Sequence, residues 1–285
     1  MKILIVYNPV AGKKNNFEKK LQKMLGDIDY DWTSILEDYE NVIKSKQYNR
    51  IIGVGGDGTV YRLANVILKN NLDTALGIIP TGSANLLARS FNIPKNIGLA
   101  LHLALHGEPK KIDVGRINHE YYFTAAAGIG YDAYAVQNTK TTWKKIFGLW
   151  AYTVALAEGL VHFRETNFSL NIDGVRRSVH AKTIFLMNVG NFLGLEFGPN
   201  IKANDGKLNM AIVRPVQFGD YFKIFGRLLG KKFHWEKRLE YHAFSKLQIN
   251  YDKRHPVQVD GEYLDIGSPI EVEVLREKLN IVCGK

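Results

Sequence analysis

The sequence predicts two structural classes in succession: an α/β N-terminal domain with a doubly wound, mostly parallel sheet, then a β-rich, sandwich-like C-terminal domain. Three observations carry that expectation. Short apolar strand runs alternate with helical patterns from residue 1 to about 110, as in a parallel sheet with crossover helices. Polar turns at Asn8, Gly55 and Gly82 each follow one of those runs, at the strand ends where open α/β sheets bind ligands. Beyond Lys110 the texture changes to short strands separated by Asp173-Gly174, Asp205-Gly206 and Asp260-Gly261, dipeptides typical of tight turns. The expected domains are therefore 1–110 and 111–285. No Ser/Gly linker divides them, which predicts an intimate interface with a cleft.

In the first half, Lys2 to Tyr7 reads as a buried strand ending at Asn8-Pro9-Val10-Ala11-Gly12. A helix follows from about Asn16 to Leu25, then a strand over Asp31 to Ile35 and a helix including Asn41 to Lys46. After a strand from Arg50, Val60 to Leu68 forms a helix and Thr74 to Ile79 a strand. Helices over Leu86 to Phe91 and Asn96 to His106 close this half. In the second half, Lys111 to Asn118 and Tyr121 to Ala127 pair around Asn118-His119-Glu120. Further strands are expected at Asn167–Ile172, Thr183–Val189, Lys207–Val213, Ala243–Ile249, Val257–Val259 and Ile270–Val274. Helices near 143–162 and 217–230 interrupt them.

The densest signal is Arg50-Ile51-Ile52-Gly53-Val54-Gly55-Gly56-Asp57-Gly58-Thr59. Glycines at a strand end let bare backbone N–H groups approach a ligand. The helix N-terminus that follows adds partial positive charge at the same place, a combination suited to a phosphate chain. Asp57 would repel phosphate unless a divalent cation or an unusual hydrogen-bond pattern intervenes, so its presence argues for metal-nucleotide chemistry. Gly53, Gly55 and Gly58 also satisfy G-x-G-x-x-G, but a dinucleotide site needs an acid about 20 residues on, and Asp73 is too close. Asn8 can cap backbone groups and Gly12 permits close approach.

Composition bounds the remaining choices. Of 285 residues, 46% are hydrophobic and 23% charged, as in a folded globular protein. Cys283 is the single cysteine, which excludes an internal disulfide and fits a reducing compartment. Lysine and arginine outnumber aspartate and glutamate 38 to 28, a net +10, so an anionic partner is expected. No signal peptide is expected, because Ile3 to Tyr7 is too short for one. Ile146 to Val161, with Glu158 inside it, falls short of the roughly 20 residues of a bilayer span.

Taken together, Asn8-Pro9, Gly55-Gly56-Asp57-Gly58-Thr59, Asp113-Val114-Gly115, Gly128-Ile129-Gly130-Tyr131-Asp132-Ala133, Pro80-Thr81-Gly82-Ser83-Ala84-Asn85 and Asp260-Gly261-Glu262 resemble the diacylglycerol/sphingosine-type lipid kinase family, its soluble bacterial members above all. The resemblance implies an ATP- and Mg²⁺-dependent kinase acting on a lipid hydroxyl, cytoplasmic and transiently membrane-associated. It implies that 1–110 binds nucleotide and 111–285 the lipid. By position, Asn8, Pro9, Val10, Ala11, Gly12, Gly55, Gly56, Asp57, Gly58, Thr59, Gly82 and Ser83 would hold ATP, with Asp57 organising Mg²⁺ through water. Glu262 and Asp260 are the candidate general bases, and Asp57 a more remote one. A structural metal in the second domain would take the Asp205 side chain and the backbone carbonyls of Lys202 and Lys207. The chain departs from the family pattern at Arg62, where an acid is usual, at Leu86, where aspartate is frequent, and at Ser83, where threonine is usual.

Basic and aromatic residues interleave over Phe218 to His242 and over Thr139 to Leu149, a composition suited to an anionic membrane surface. No nucleic-acid-binding module is recognisable. A homodimer is compatible with the sequence. Two rival readings stay open: an NAD kinase-like small-molecule kinase, which shares the Gly-Gly-Asp-Gly turn, and a catalytically weak lipid-binding protein.

Overall fold

A computed structural model describes residues 1–11, 17–130, 165–192, 195–196, 201–214, 239–251 and 255–284. The chain divides into two compact units, Met1–Val114 with Arg276–Lys285, and Gly115–Leu275.

The first unit is α/β. Strands β1 (Ile3–Tyr7), β2 (Asp31–Ser34), β3 (Arg50–Gly55) and β4 (Ala75–Pro80) lie parallel in the order β2-β1-β3-β4. β1, β3 and β4 are buried along their whole lengths, which is why their sequences are apolar runs rather than alternations. The helices are α1 (Phe17–Leu25), α2 (Tyr39–Ser45), α3 (Asp57–Lys69), α4 (Leu86–Ser90) and α5 (Ile97–His106). Each expected helix and strand of this half is present, with ends shifted by at most three residues.

Two glycines set how closely helices approach the sheet. A Cβ on Gly53 would stand 2.7 Å from Leu63 Cδ1 of α3, and one on Gly77 would stand 3.0 Å from Ala104 Cβ of α5. Arg50 opens β3, and its guanidinium donates to the carbonyls of Ala104 (2.9 Å) and Gly107 (2.7 Å). It thereby satisfies carbonyls that the end of α5 leaves open. Asn96 and Asp38 cap α5 and α2 through the amides of Leu99 and Asn41.

The second unit is built from antiparallel strands. β5 (Pro109–Ile117) leads into it and pairs with β6 (Tyr121–Phe123). β7 (Ala126–Gly130), β8 (Thr166–Ile172), β9 (Val175–Ala181), β10 (Thr183–Met187), β11 (Asn191–Phe192), β12 (Leu195–Glu196), β13 (Leu208–Val213), β14 (Leu239–Phe244), β15 (Lys246–Tyr251), β16 (Val257–Val259), β17 (Glu262–Leu264) and β18 (Ile270–Val282) follow. One sheet runs β14-β13-β10-β7-β16-β17. β9, β8, β15 and the first residues of β18 pair in a second series, and β11 pairs with β12. The last residues of β18, Asn280 and Ile281, belong to the first unit and lie parallel to Ala75 and Leu76 of β4.

Several expectations for this half need correction. The run Tyr121–Ala127 is two strands, broken at Thr124-Ala125, and Ala243–Ile249 spans parts of β14 and β15, broken at Ser245. Both breaks have one cause. The hairpin corners Asp173-Gly174 and Asp260-Gly261 have positive φ at both residues (48° and 91°, 47° and 88°), the geometry that matches strand twist. Each corner aspartate then turns its carboxylate onto a distant chain break. Asp173 accepts from the amides of Ser245 and Lys246, and Asp260 accepts from those of Thr124, Ala125 and Ala126. β9 and β17 were not anticipated, and β18 runs on to Val282 rather than stopping at Val274. The helices expected near 143–162 and 217–230, the stretch Thr139 to Leu149, and Phe218 to Arg238 lie outside the described residues. Among the described residues no helix is long and apolar enough to cross a membrane.

Candidate active site

In the first unit the three polar turns meet. Asn8 follows β1, and its amide donates to Val54 O of β3 at 2.9 Å. Its side chain accepts from the Val10 amide (3.0 Å) and donates to Thr59 Oγ1 (2.8 Å). That joins the first turn to the second. Thr59 is buried, and its side chain fills the space beside Gly55, where any Cβ would collide with it. The third turn begins with the Thr81 amide donating to Gly55 O at 2.9 Å. Gly56 and Gly82 then touch backbone to backbone, since a Cβ on Gly82 would lie 2.6 Å from Gly56 Cα. Glycine is required at both places by proximity rather than by unusual φ.

Asp57 fastens this arrangement. Its Oδ2 accepts from the Asn85 amide at 2.8 Å and its Oδ1 from the Leu86 amide at 2.6 Å. Asn85, in the left-handed region at φ 48°, folds its amide side chain back onto Gly82 N and O. Burial raises the Asp57 pKa, opposed by those amide bonds and by the nearby Arg89 guanidinium. Asp57 thus spends its hydrogen bonds on the Asn85-Leu86 turn, and Leu86 takes part through its backbone alone. Arg62 is exposed and lies near Tyr39, whose pKa burial raises against the opposing charge of Arg62. Among the described residues, the cation that acts on Asp57 is Arg89, which the sequence reading missed. An arginine inside the five-residue α4 gives no periodic signal.

Two further features suit an anion. Gly56 heads α3 with no side-chain cap, so the helix N-terminus presents its amides and partial positive charge. Thr81 Oγ1 and Arg89 Nε are buried without a hydrogen-bond partner among the described residues. Buried donors are normally satisfied, and a phosphate chain would satisfy these. Of the other expected nucleotide contacts, Pro9, Val10 and Ala11 lie on the first turn. Ser83 is exposed on the third, its carbonyl 3.5 Å from Arg89 Nη2. Gly12 lies outside the described residues.

In the second unit the two candidate bases differ sharply. Asp260 is saturated: Oδ2 accepts from Thr124 N (2.7 Å) and Thr124 Oγ1 (2.9 Å), and Oδ1 from Ala125 N and Ala126 N (both 2.9 Å). Desolvation raises its pKa against the pull of these donors. Glu262, the first residue of β17, pairs with Val259 and is partly exposed. The tight turn at Asp260-Gly261 directs the Asp260 carboxylate inward onto residues 124–126.

Asp205 is exposed and accepts from the Lys207 amide at 3.0 Å. No group of three or more His, Cys, Asp or Glu side chains is arranged for a metal among the described residues. A site made of one carboxylate and the Lys202 and Lys207 carbonyls would be all oxygen, a donor set for Mg²⁺ or Ca²⁺ rather than Zn²⁺.

Comparison with known proteins covers almost the whole chain. Residues 2–117 match the diacylglycerol kinase catalytic domain, and residues 125–283 match the YegS C-terminal NAD kinase beta sandwich-like domain. A diacylglycerol kinase of Bacillus subtilis (strain 168) is 25% identical over 272 residues, covering 91% of this chain and 89% of the relative. One from Staphylococcus aureus (strain MRSA252) is 26% identical over 298 residues, covering 96% and 94%. A solved structure of a diacylglycerol kinase from Bacillus anthracis str. Sterne superposes with a TM-score of 0.75 at 22% identity, covering 99% of this chain and 97% of that one.

Proposed function

We propose a function from the premise that this chain belongs to the diacylglycerol kinase family, matching the diacylglycerol kinase catalytic domain and then the YegS C-terminal NAD kinase beta sandwich-like domain, and is a lipid kinase. The reaction is transfer of the γ-phosphoryl group of ATP to the hydroxyl of diacylglycerol or a related long-chain alcohol. The observation that carries the nucleotide half is the junction of three strand-end turns in the first unit, closed by Asn8–Thr59, Gly56–Gly82 and Asp57.

In this reading the amides at the head of α3, the Asn8 turn and the turn at Gly82 and Ser83 hold the phosphate chain, and Arg89 and Thr81 supply further donors. Asp57 keeps the turns at the right separation. Mg²⁺, when bound with the nucleotide, would supply neutralisation of charge on the transferring group. Glu262 accepts the hydroxyl proton as the lipid oxygen bonds to phosphorus and ADP departs. Asp260 acts as the residue that positions the β16–β17 hairpin. Asp205, with the Lys202 and Lys207 carbonyls, is the candidate structural-metal site. The working location is the cytoplasmic face of an anionic membrane, reached by basic residues of a chain with net charge +10.

The test is incubation of the full chain with γ-labelled ATP, Mg²⁺ and vesicles containing diacylglycerol, with NAD as a parallel acceptor. Labelled phosphatidate supports the proposal. Labelled NAD would replace it with a small-molecule kinase. Vesicle binding without label in either acceptor would replace it with a catalytically weak lipid-binding protein.

A further inference from the structure

We propose that His102 and His106 form a chelating site for a transition-metal dication such as Zn²⁺, Ni²⁺ or Cu²⁺ on the exposed face of α5, apart from the kinase machinery. α5 buries Ala100, Leu101, Ala104 and Leu105. His102 and His106, four residues apart, therefore share the opposite, solvent-facing side and are both exposed. Their ring centroids are 4.9 Å apart with planes at 51°. Two imidazoles spaced i, i+4 on a helix can bring one nitrogen each to a single ion at about 2.0–2.1 Å.

The surroundings favour chelation over a structural role. The other described histidines have engaged rings: His119 with Glu271 and Glu273, His180 with Asn167 and Glu165, His242 with Glu240, and His255 with Thr166. Among the described residues, neither His102 nor His106 has a hydrogen bond or ion pair, and their rings contact each other. The backbone carrying them is fixed. Arg50 holds the Ala104 and Gly107 carbonyls, the Gly107 amide donates to Leu103 O at 2.7 Å, and Ala104 seats against Gly77 of β4. A chelate on a pinned helical turn loses little freedom on binding.

No third His, Cys, Asp or Glu completes the pair among the described residues, so water fills the other coordination positions. Two neutral nitrogens select against Mg²⁺, which takes oxygen ligands, so the metal of the kinase reaction does not compete. Bridging the last turn of α5 stabilises the helix that covers β4, the strand leading into the Thr81-Gly82 turn.

The experiment uses the full chain without a polyhistidine tag, titrated calorimetrically with ZnCl₂ or NiCl₂ in excess MgCl₂, beside His102→Ala, His106→Ala and the double variant. Both positions are exposed, so the variants fold. The wild type binds one more ion than any variant, and its thermal midpoint rises by roughly 5 °C at a hundredfold excess of metal over Kd. Cu²⁺ bound at this site shows hyperfine coupling to two nitrogens in the wild type, a signature absent from either single variant. Titrations that match between wild type and the double variant, or loss of the ion in only one single variant, would overturn the site.

Discussion

Replacing Gly82 by alanine tests how closely the phosphate turns must meet. The new Cβ would stand 2.6 Å from Gly56 Cα and 2.9 Å from Asn85 Oδ1. Carbon atoms in contact rest about 3.5 Å apart or more, so the turns must separate by roughly 1 Å. Neither obstacle is the tip of a flexible side chain: one is backbone, and the other belongs to an asparagine already bonded to Gly82 N and O. A misplacement of about 1 Å in a positioning group can lower the rate about 10²-fold, or about 2.7 kcal/mol in the barrier. Overpacking removes about 1–3 kcal/mol of stability as well. Gly56→Ala is milder, because its Cβ would meet Gly82 Cα at 3.2 Å, and Gly267→Ala is the control, with nothing within 4 Å. Steady-state lipid phosphorylation with ATP varied, alongside thermal melts, should rank kcat/KM as Gly267→Ala above Gly56→Ala above Gly82→Ala. A Gly82→Ala enzyme within twofold of wild type in kcat/KM would refute the argument.

Asp57→Asn places an amide donor where Asn85 and Leu86 already donate, costing about 1–3 kcal/mol for the unpaired group. The KM for ATP should rise about tenfold or more, and an unchanged KM would remove Asp57 from its clamping role. Glu262→Gln should lower kcat by about 10²–10⁴-fold without changing nucleotide affinity, whereas Asp260→Asn should lower the melting temperature. A Glu262→Gln enzyme with normal kcat would exclude Glu262 as the base. Tyr48 donates to Asp31 at 2.7 Å, and burial followed by that bond raises its pKa to about 12. The raised value means that the Tyr48 contribution to stability is complete below the usual tyrosine range near 10 and is lost as pH rises through about 12. Asp31, lowered by hydrogen bonds from Lys46 and Tyr48, contributes above 3.8 and loses that contribution as pH falls below it. Phenolate absorbance should show a high-pH step that Tyr48→Phe abolishes.

The first unit was legible because its information is local. Ile3 to Tyr7, Arg50 to Gly55 and Ala75 to Pro80 are apolar runs stopped by glycine or asparagine turns, and the helices between them carry 3.6-residue patterns. The three turns could be placed at strand ends from sequence, but not their mutual contact, since Gly56 and Gly82 touch at a sequence separation of 26. The second unit hid its breaks because the groups that create them are remote in sequence. Asp260 acts on Thr124 and Asp173 on Ser245, at separations of 136 and 72 residues. β9 went unseen because Val175-Arg176-Arg177-Ser178 is exposed and charged. β18 was read as too short because Arg276-Glu277-Lys278 looks like a surface loop; the Glu277 amide is instead held by Asp113 Oδ1 at 2.8 Å. Asp57 could be located on the turn from sequence, but its bonding to Asn85 and Leu86 required coordinates.

Hydrogen–deuterium exchange of the full chain with and without MgATP tests most directly where the phosphates sit. Protection should appear together at residues 8–11, 55–59 and 81–86, and should weaken at all three in Gly82→Ala. Saturating nucleotide that protects other segments and leaves these amides exchanging as before would contradict the placement.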